Sequence, residues 1–556
     1  MMTRMTGKRA LMETLKAEGV EYIFGNPGTS ETPIMDELEH HPELKYKLVM
    51  QEGVAMGMAD GYARATGKPA FVNLHIETGL ANGISLLHNA AEGGTPLVLT
   101  AGNLDIRELA RGRTDLAEMV RLFTKFTAEA THPEQVPTTL RRAFNEARTP
   151  PTGPTFVGFS ANSLDDEGEM DIFPSPQGYF RTAPDAAAVQ AAAAILAGSK
   201  RPVIVVGDRV AQSGAAAEVV RVAELTGASV YSSSYSEMNF PTTHPQYLGA
   251  IKIGFPESMG VLGAADAVLA IGKLSTVYYM FSDPAMRFFG DDTKLIHMDQ
   301  DSARVGSSQP TDVGIIADPK TGLAMLAEAV EANMSGSARE AAKWRADDAA
   351  IMKAAMDEAA ESRLKDRWDM NPMSADRMMA EIAKVLPSDS IIINDAVTSG
   401  GALLDSFDFT EPGSIFGGRG GALGWGMGGA MGVKLANPDK PVVAIHGDGS
   451  AMMTVQGLWT AASDGIPVVY VVCNNSEYRI LKVNMDIYKD LVLKQPGAES
   501  RYMGMDFPVR PNFAQIAEAM GVYGRRIDDP EQVGPAMTEA LALGKPVLLD
   551  IIIGNQ

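Results

Sequence analysis

Between Ile445 and Leu481 the chain runs IHGDGSAMMTVQGLWTAASDGIPVVYVVCNNSEYRIL, the stretch that most restricts its fold. An apolar run, Val442 to Ile445, leads into Gly447-Asp448-Gly449, and a second, Val468 to Cys473, leads into Asn474-Asn475. Between them Leu458, Trp459, Ala461 and Ala462 recur on one face of a helix, so the local order is strand, turn, helix, strand. That order sets Asp448 and Asn475 at the carboxyl ends of two strands, where parallel α/β sheets bind their ligands. An Asp carboxylate, an Asn amide oxygen and one backbone carbonyl make a hard, all-oxygen set. It suits Mg²⁺ that is also held by phosphate oxygens.

The same alternation fills the rest of the chain. Tyr22-Ile23-Phe24, Lys47 to Met50, Ala70 to Leu74 and Pro96 to Thr100 read as strands, with helices beginning near Thr29-Ser30, Gly53 and Ala81. A polar break at Leu164 to Gly168 and Pro174-Ser175-Pro176 precedes a second unit with strands at Pro202 to Gly207, Ala267 to Gly272 and Lys294 to His297. A charged, helical linker then leads to a third unit, with strands at Ile391 to Asn394, Val442 to Ile445, Val468 to Cys473 and Pro546 to Ile552. The expected fold is α/β, three tandem α/β domains with mostly parallel sheets. Their boundaries are 1–185, 186–335 and 373–556, with the linker at 336–372.

A chain of 556 residues is too long for one core. Its net charge of −21 argues against nucleic-acid and anionic-membrane partners. The single cysteine, Cys473, excludes an internal disulfide framework and fits a reducing, cytoplasmic setting. The N-terminus has no apolar signal region, and no apolar run approaches the roughly 20 residues of a membrane span.

Glu52 stands in VMQEGVAMGMADGYARATG, at the end of a strand and the start of a small-residue helix. Together with the Gly-Asp-Gly and Asn-Asn pair, Gln51-Glu52-Gly53 and Ala59 to Ala63 resemble the thiamine-diphosphate (ThDP) enzymes. In that family the Glu holds N1′ of the aminopyrimidine ring, favouring the imino tautomer whose N4′ acts as base. The resemblance covers nearly the whole chain as pyrimidine-binding, middle and diphosphate-binding domains. It implies that the Gly421 carbonyl accepts from N4′ and that Leu423 wedges the cofactor into a bent form. It also implies that Asp448, Asn475 and the backbone of Glu477 hold Mg²⁺. Gly449 and Ser450 would meet the diphosphate, and Asn394, Thr398 and Ser399 would line the same cofactor site. Gly424-Trp425-Gly426-Met427-Gly428-Gly429 also satisfies GxGxxG, but the Gly-rich segment before it does not read as the strand a dinucleotide site requires.

Within the superfamily the chain is most similar to benzoylformate decarboxylase and its acetolactate-synthase-like relatives. Gly25-Asn26-Pro27-Gly28-Thr29, Asn73-Leu74-His75, Gly449-Ser450-Ala451 and Leu458 to Ala462 carry that likeness. It implies that Thr29 binds a substrate carboxylate through its hydroxyl and that His75 relays protons. The second active-site His of the decarboxylase is missing from Thr276 to Phe281, where Tyr279 is the nearest positional match. Arg113, in the basic loop Arg111 to Asp115, would favour an anionic substrate if it faced the cavity. Tyr478 and Leu481 belong to an amphipathic segment expected to lid the pocket, and His446 is expected to pack beneath the metal turn.

The implied activity is a ThDP- and Mg²⁺-dependent 2-oxo acid decarboxylase or carboligase, acting on C–C bonds next to a carbonyl through an enamine intermediate. Alternatives are an acetolactate-synthase-like transferase or 2-hydroxy-ketone lyase, with FAD as a further cofactor in the middle domain, and a non-catalytic binding member. Substrates would be small 2-oxo acids or aldehydes. The family places its cofactor between subunits, so a homodimer or homotetramer is expected.

Overall fold

Runs of buried β-branched and aliphatic residues, such as Pro202–Val206 and Val469–Asn474, are the natural inner strands of sheets covered on both faces. In the computed structural model, which describes residues 2–108, 112–178, 181–233, 236–251, 256–274 and 288–554, they lie in three six-stranded sheets. Every pairing inside these sheets is parallel, as strand–helix–strand alternation demands. A separate antiparallel pair joins Thr3–Thr6 to Glu167–Met170.

The first sheet has the order Lys45–Leu48, Tyr22–Gly25, Ala70–Leu74, Leu97–Asn103, Pro154–Ser160, Phe126–Ala130. The chain leaves Tyr22–Gly25 toward one edge and returns to Ala70–Leu74 on the other side, so a switch-point crevice opens between Gly25 and Leu74. The third sheet repeats the pattern, with order Ile415–Gly417, Ile391–Asp395, Val442–Gly447, Val469–Asn474, Val547–Ile552, Tyr523–Ile527. Its crevice lies between Asp395 and Gly447. Both crevices fall where the sequence carries its unusual polar residues.

The middle sheet, ordered Tyr247–Ala250, Ser229–Ser232, Pro202–Val206, Ala267–Ile271, Lys294–Asp299, Val313–Ile316, has its switch point between Val206 and Ile271. There the buried side chain of Arg209 packs over Gly272 and lies 3.3 Å from the fully buried Asp299. Among the described residues this ion pair lies at the switch point. After it come the helices Pro319–Asn333 and Gly336–Asp366.

Several details differ from the sequence expectation, which also lacked the strands Pro154–Ser160, Ser229–Ser232, Tyr247–Ala250 and Val313–Ile316. The helix expected near Ala81 begins at Ile76, because the polar segment Glu77-Thr78-Gly79, loop-like in sequence, forms its first turn. Phe416 and Gly417 do form a strand, Ile415–Gly417, held parallel to Ile391–Asp395. It is separated from the helix Trp425–Ala436 by a glycine-rich turn, so the tight strand-to-helix junction of a dinucleotide site is absent. The edge strands Phe126–Ala130 and Tyr523–Ile527 were not expected, since their half-buried, charged sequences have no continuous apolar run.

The first and third units share a core. A continuous buried cluster runs from Phe24 and Val72 through Met56 and Trp425 to Tyr470 and Leu548. At its centre the helix Glu52–Thr66 lies directly on Trp425–Ala436. A Cβ on Gly428 would overlap the Val54 carbonyl oxygen, and one on Gly432 the Met58 carbonyl oxygen. Gly428 of the GxGxxG-like run and Gly432 beyond it therefore serve backbone-to-backbone packing. Arg64 donates to Glu237 Oε1, the Gly417 carbonyl and the Ser236 carbonyl, each at 2.8 Å, and so ties all three units together. Gly432→Ala should lower stability by about 1–3 kcal/mol, the usual effect of overpacking. Thermal unfolding checks this: a melting temperature equal to wild type would contradict the close approach. Among the described residues no helix is long and apolar enough to cross a membrane.

Candidate active site

At the first crevice, Glu52 opens its helix behind Gln51, whose side chain caps it by accepting from Val54 N at 3.1 Å. Glu52 is 7% exposed. Asn26 Nδ2 donates to its Oε1 (3.0 Å) and Asn82 Nδ2 to its Oε2 (2.9 Å). Both partners are neutral amides, so the carboxyl keeps lone-pair directions open toward the crevice.

Beside it, Glu31 is fully buried. Its Oε1 accepts from Gly102 N at 2.8 Å, while its Oε2 accepts from Gly28 N at 2.9 Å and lies 2.8 Å from His75 Nδ1. A carboxylate in that position fixes the proton on Nδ1 and turns Nε2 outward. His75 sits just before the helix Ile76–Gly93 with its side chain 27% exposed. Ile76 has φ 29°, a strained value for a β-branched residue. Thr29 starts a single helical turn, Thr29–Glu31, and is exposed on the same rim.

At the second crevice, Asp448 is 3% exposed. Its Oδ1 accepts from Gly449 N (2.7 Å) and its Oδ2 from Ser476 N (2.6 Å). Burial nevertheless pushes its pKa up to about 6, against the opposing pull of the Ser476, Gly449 and Asn475 amides and the Arg510 charge. Asn475 lies at the end of the neighbouring strand, its Oδ1 accepting from Glu477 N at 3.2 Å. Ser476 between them holds φ 62°. The Glu477 carboxylate turns away to pair with Lys482, which also reaches Asp506 at 2.5 Å. The Glu477 Oε2 is thereby taken, while Oε1 is buried and, among the described residues, without a hydrogen-bond partner.

Around these groups Val397, Leu423 and Leu481 expose 46%, 36% and 44% of their surface. Gly421, at φ 92°, faces open space, and the Tyr478 ring lies over Gly449 and edge-on to Phe507 at 4.8 Å. Leu481 lies in the helix Arg479–Ile487. Asn394 accepts from Ala396 N at 3.1 Å, Thr398 is exposed, and Ser399 is buried before the helix Gly400–Ser406. The Ser450 hydroxyl donates to Asp395 and accepts from Gly424 N at 3.0 Å, so only its backbone N–H remains to meet a ligand. His446 is fully buried, its Nδ1 3.4 Å from Asp395.

Arg113 is committed elsewhere: it pairs with Glu129 and donates to the Leu104 carbonyl at 3.2 Å. Its charge is matched within the first unit. Tyr279 lies outside the described residues. Sequence reasoning missed Glu31, Asn26, Asn82 and Asp395. Asn26 lies inside the recognised Gly25-to-Thr29 run and Glu31 just beyond it, but the partners that give their side chains meaning are far along the chain.

The second crevice fits a diphosphate–metal group. Among the described residues no cluster of three His, Cys, Asp or Glu could hold a metal, so a cation here needs a mixed set of carboxylate, amide and carbonyl oxygens. The buried Asp448 carboxylate, offset only by amide dipoles and one arginine, is a charge that such a cation would satisfy. The first crevice offers a buried acid, and Leu423, 36% exposed, offers an apolar surface on the glycine-rich turn of the third unit.

Comparison with known proteins agrees with this arrangement. Residues 5–120 match the thiamine pyrophosphate enzyme N-terminal TPP binding domain, residues 189–326 the central domain, and residues 395–551 the C-terminal TPP binding domain. The benzoylformate decarboxylase of Pseudomonas aeruginosa is 29% identical over 557 residues, covering 98% of both chains. The acetolactate synthase large subunit of Corynebacterium glutamicum is 27% identical over 575 residues, covering 100% of this chain and 87% of the relative. The solved structure of the thiamine diphosphate-dependent 4-hydroxybenzoylformate decarboxylase of Rhodococcus jostii RHA1 superposes with a TM-score of 0.82 at 25% identity, covering 99% of each chain. With all three domain types in order along one chain, the protein belongs to the thiamine-diphosphate-dependent enzyme family, among the relatives of benzoylformate decarboxylase and acetolactate synthase.

Proposed function

We propose that the protein is a ThDP- and Mg²⁺-dependent lyase that decarboxylates a small 2-oxo acid. The observation that carries this reading is the Glu31–His75 pair on the same crevice rim as Thr29 and Glu52. A histidine with Nδ1 held by a buried carboxylate presents Nε2 as a directed proton donor and acceptor. Thr29 offers a hydroxyl to the substrate carboxylate. Glu52 holds a proton at N1′ of the pyrimidine, and the Gly421 carbonyl accepts from N4′. Asp448, the Asn475 amide oxygen and the Glu477 carbonyl hold Mg²⁺, while the Gly449 and Ser450 amides meet the diphosphate. The bound cofactor supplies a nucleophilic carbon and an electron sink next to the substrate carbonyl. Val397, Leu423 and Leu481 exclude water from that space.

A second reading, an acetolactate-synthase-like transferase or other carboligase, keeps every one of these roles and differs in the final acceptor. It is favoured by the full-length likeness to the synthase subunit. In either case the buried Arg209–Asp299 pair at the middle switch point supports a protein without flavin. Met50, Met452 and Met453, exposed by 50%, 44% and 47%, flank the two half-sites. A second copy of the chain would cover them, in a homodimer or a tetramer built from two.

The deciding experiment incubates the Mg·ThDP-loaded protein with a panel of 2-oxo acids, alone and with aldehyde or 2-oxo acid acceptors. Release of CO₂ with an aldehyde supports the lyase. A 2-hydroxy ketone or 2-hydroxy-3-oxo acid supports the transferase. No CO₂ and no ligation product from any member of the panel would count against both, and flavin absorbance in the purified protein would overturn the flavin-free reading.

A further inference from the structure

The turn Gly420–Gly424 carries the Gly421 carbonyl, and its backbone lies in the left-handed region at Gly420, Gly421 and Gly424, with φ of 74°, 92° and 90°. A glycine-rich turn of this kind has many accessible conformations unless something outside it selects one. Here the selection comes from the helix Ile76–Gly93 of the first unit. Asn89, 1% exposed, accepts from Ala422 N at 3.0 Å and donates to the Ala422 carbonyl at 2.8 Å. Both faces of one side-chain amide are thus spent on the residue next to Gly421. His88 Nε2 lies 3.1 Å from the Gly420 carbonyl on the other side. Before the turn, Arg419 donates to the Gly93 carbonyl at 3.0 Å and pairs with Glu237 and Asp208 of the middle unit.

The carbonyls of Gly420 and Ala422 are therefore occupied. Among the described residues the Gly421 carbonyl between them has no partner, and a Cβ at Gly421 would meet nothing within 4 Å. We propose that Asn89 is a positioning residue: it fixes the direction of the Gly421 carbonyl before the cofactor binds, and so sets the acceptor for the N4′ amino group. This rests on the ThDP reading above. A side-chain amide accepts from the Ala422 N–H and donates to its C=O at once, whereas an ionised carboxylate can only accept, so asparagine suits this position and aspartate does not. The assignment makes the first unit a contributor to proton chemistry through the third unit's backbone, although Asn89 touches neither cofactor nor substrate.

The test uses the full chain loaded with Mg·ThDP and no substrate. Two quantities are measured: ThDP affinity by calorimetric titration, and the rate at which the cofactor's C2 proton exchanges in D₂O, read by NMR after acid quench. In Asn89→Ala the exchange should slow by about 10- to 100-fold, within the range of a lost acid–base contribution, with ThDP affinity little changed. Asn89→Asp guards against misfolding: it keeps the acceptor for Ala422 N but cannot donate to the carbonyl, and should also slow exchange. Wild-type exchange rates in variants that bind ThDP normally would overturn the proposal. So would a parallel loss of affinity, exchange and thermal stability, which is the signature of a mere interdomain tie. A wild-type protein that neither binds ThDP nor exchanges the proton would instead overturn the cofactor reading itself.

Discussion

Glu52→Gln is expected to slow turnover by about 10²–10⁴-fold, the range a positioned acid or base contributes. The substitution keeps the shape of the side chain and one oxygen acceptor. It loses the ability to give or take a proton at N1′. It also places an NH₂ group against one of two donors, since Asn26 Nδ2 and Asn82 Nδ2 both point at the present carboxylate. One of those hydrogen bonds is lost, worth about 1 kcal/mol. Cofactor affinity should change far less than turnover, because the proposed site holds the diphosphate and metal in the other crevice. Rates with the best 2-oxo acid and ThDP titrations of the same preparation check both parts. Unchanged turnover would remove Glu52 from the chemistry, and an affinity loss as large as the rate loss would make it a binding residue only.

The residues that sequence made legible share one property: their meaning is local. Asp448 and Asn475 each follow a continuous apolar strand, and Glu52 stands between a strand and a helix, so periodicity alone sets them at strand ends. The parallel architecture was legible for the same reason. Residues defined by distant partners were not. Glu31 matters because it meets both the Gly28 and Gly102 amides and the His75 ring, which lie on three different segments. Arg113 looked like a cation free to face an anionic substrate, yet Glu129, on an edge strand that no apolar run announced, neutralises it. Ser450 was expected to meet the diphosphate, but pattern did not show that Asp395 and Gly424 already use its hydroxyl, leaving the backbone N–H. The glycines from Gly424 to Gly429 were visible as an oddity, but the helix that Gly428 packs against begins at Glu52, hundreds of residues earlier. Pattern reveals strand ends and helix faces; it does not reveal which of them face each other.

The same distinction frames the expected behaviour of Asp448→Asn, which should move the apo and loaded proteins in opposite directions. In the apo protein, burial raises the Asp448 pKa from 3.8 to about 6, so the folded chain takes up a proton more readily than the unfolded chain. Apo stability therefore falls as pH rises from about 4 to about 6 and stays low above it. At pH 7 the buried charge costs on the order of 3 kcal/mol, at 1.36 kcal/mol per unit. Asparagine removes that cost but leaves one of the Gly449 and Ser476 N–H groups without an acceptor, which costs about 1 kcal/mol. The apo variant should consequently melt above the wild type at pH 7, and the difference should shrink as pH falls below 6. Loaded protein should show the reverse. Without the carboxylate the Mg²⁺ site has only neutral oxygens from the chain, and affinity for Mg·ThDP should fall by about 10²-fold or more, since ligand charge count sets affinity across decades. The upward thermal shift that Mg·ThDP gives the wild type would then disappear. In the wild type itself, protons compete with the metal for Asp448, so Mg·ThDP affinity should decline as pH falls through about 6. Melting curves of both proteins with and without Mg·ThDP across this pH range decide the matter. A variant less stable than wild type in the apo state would show that Asp448 serves the fold, and a variant that still gains stability from Mg·ThDP would place the metal elsewhere.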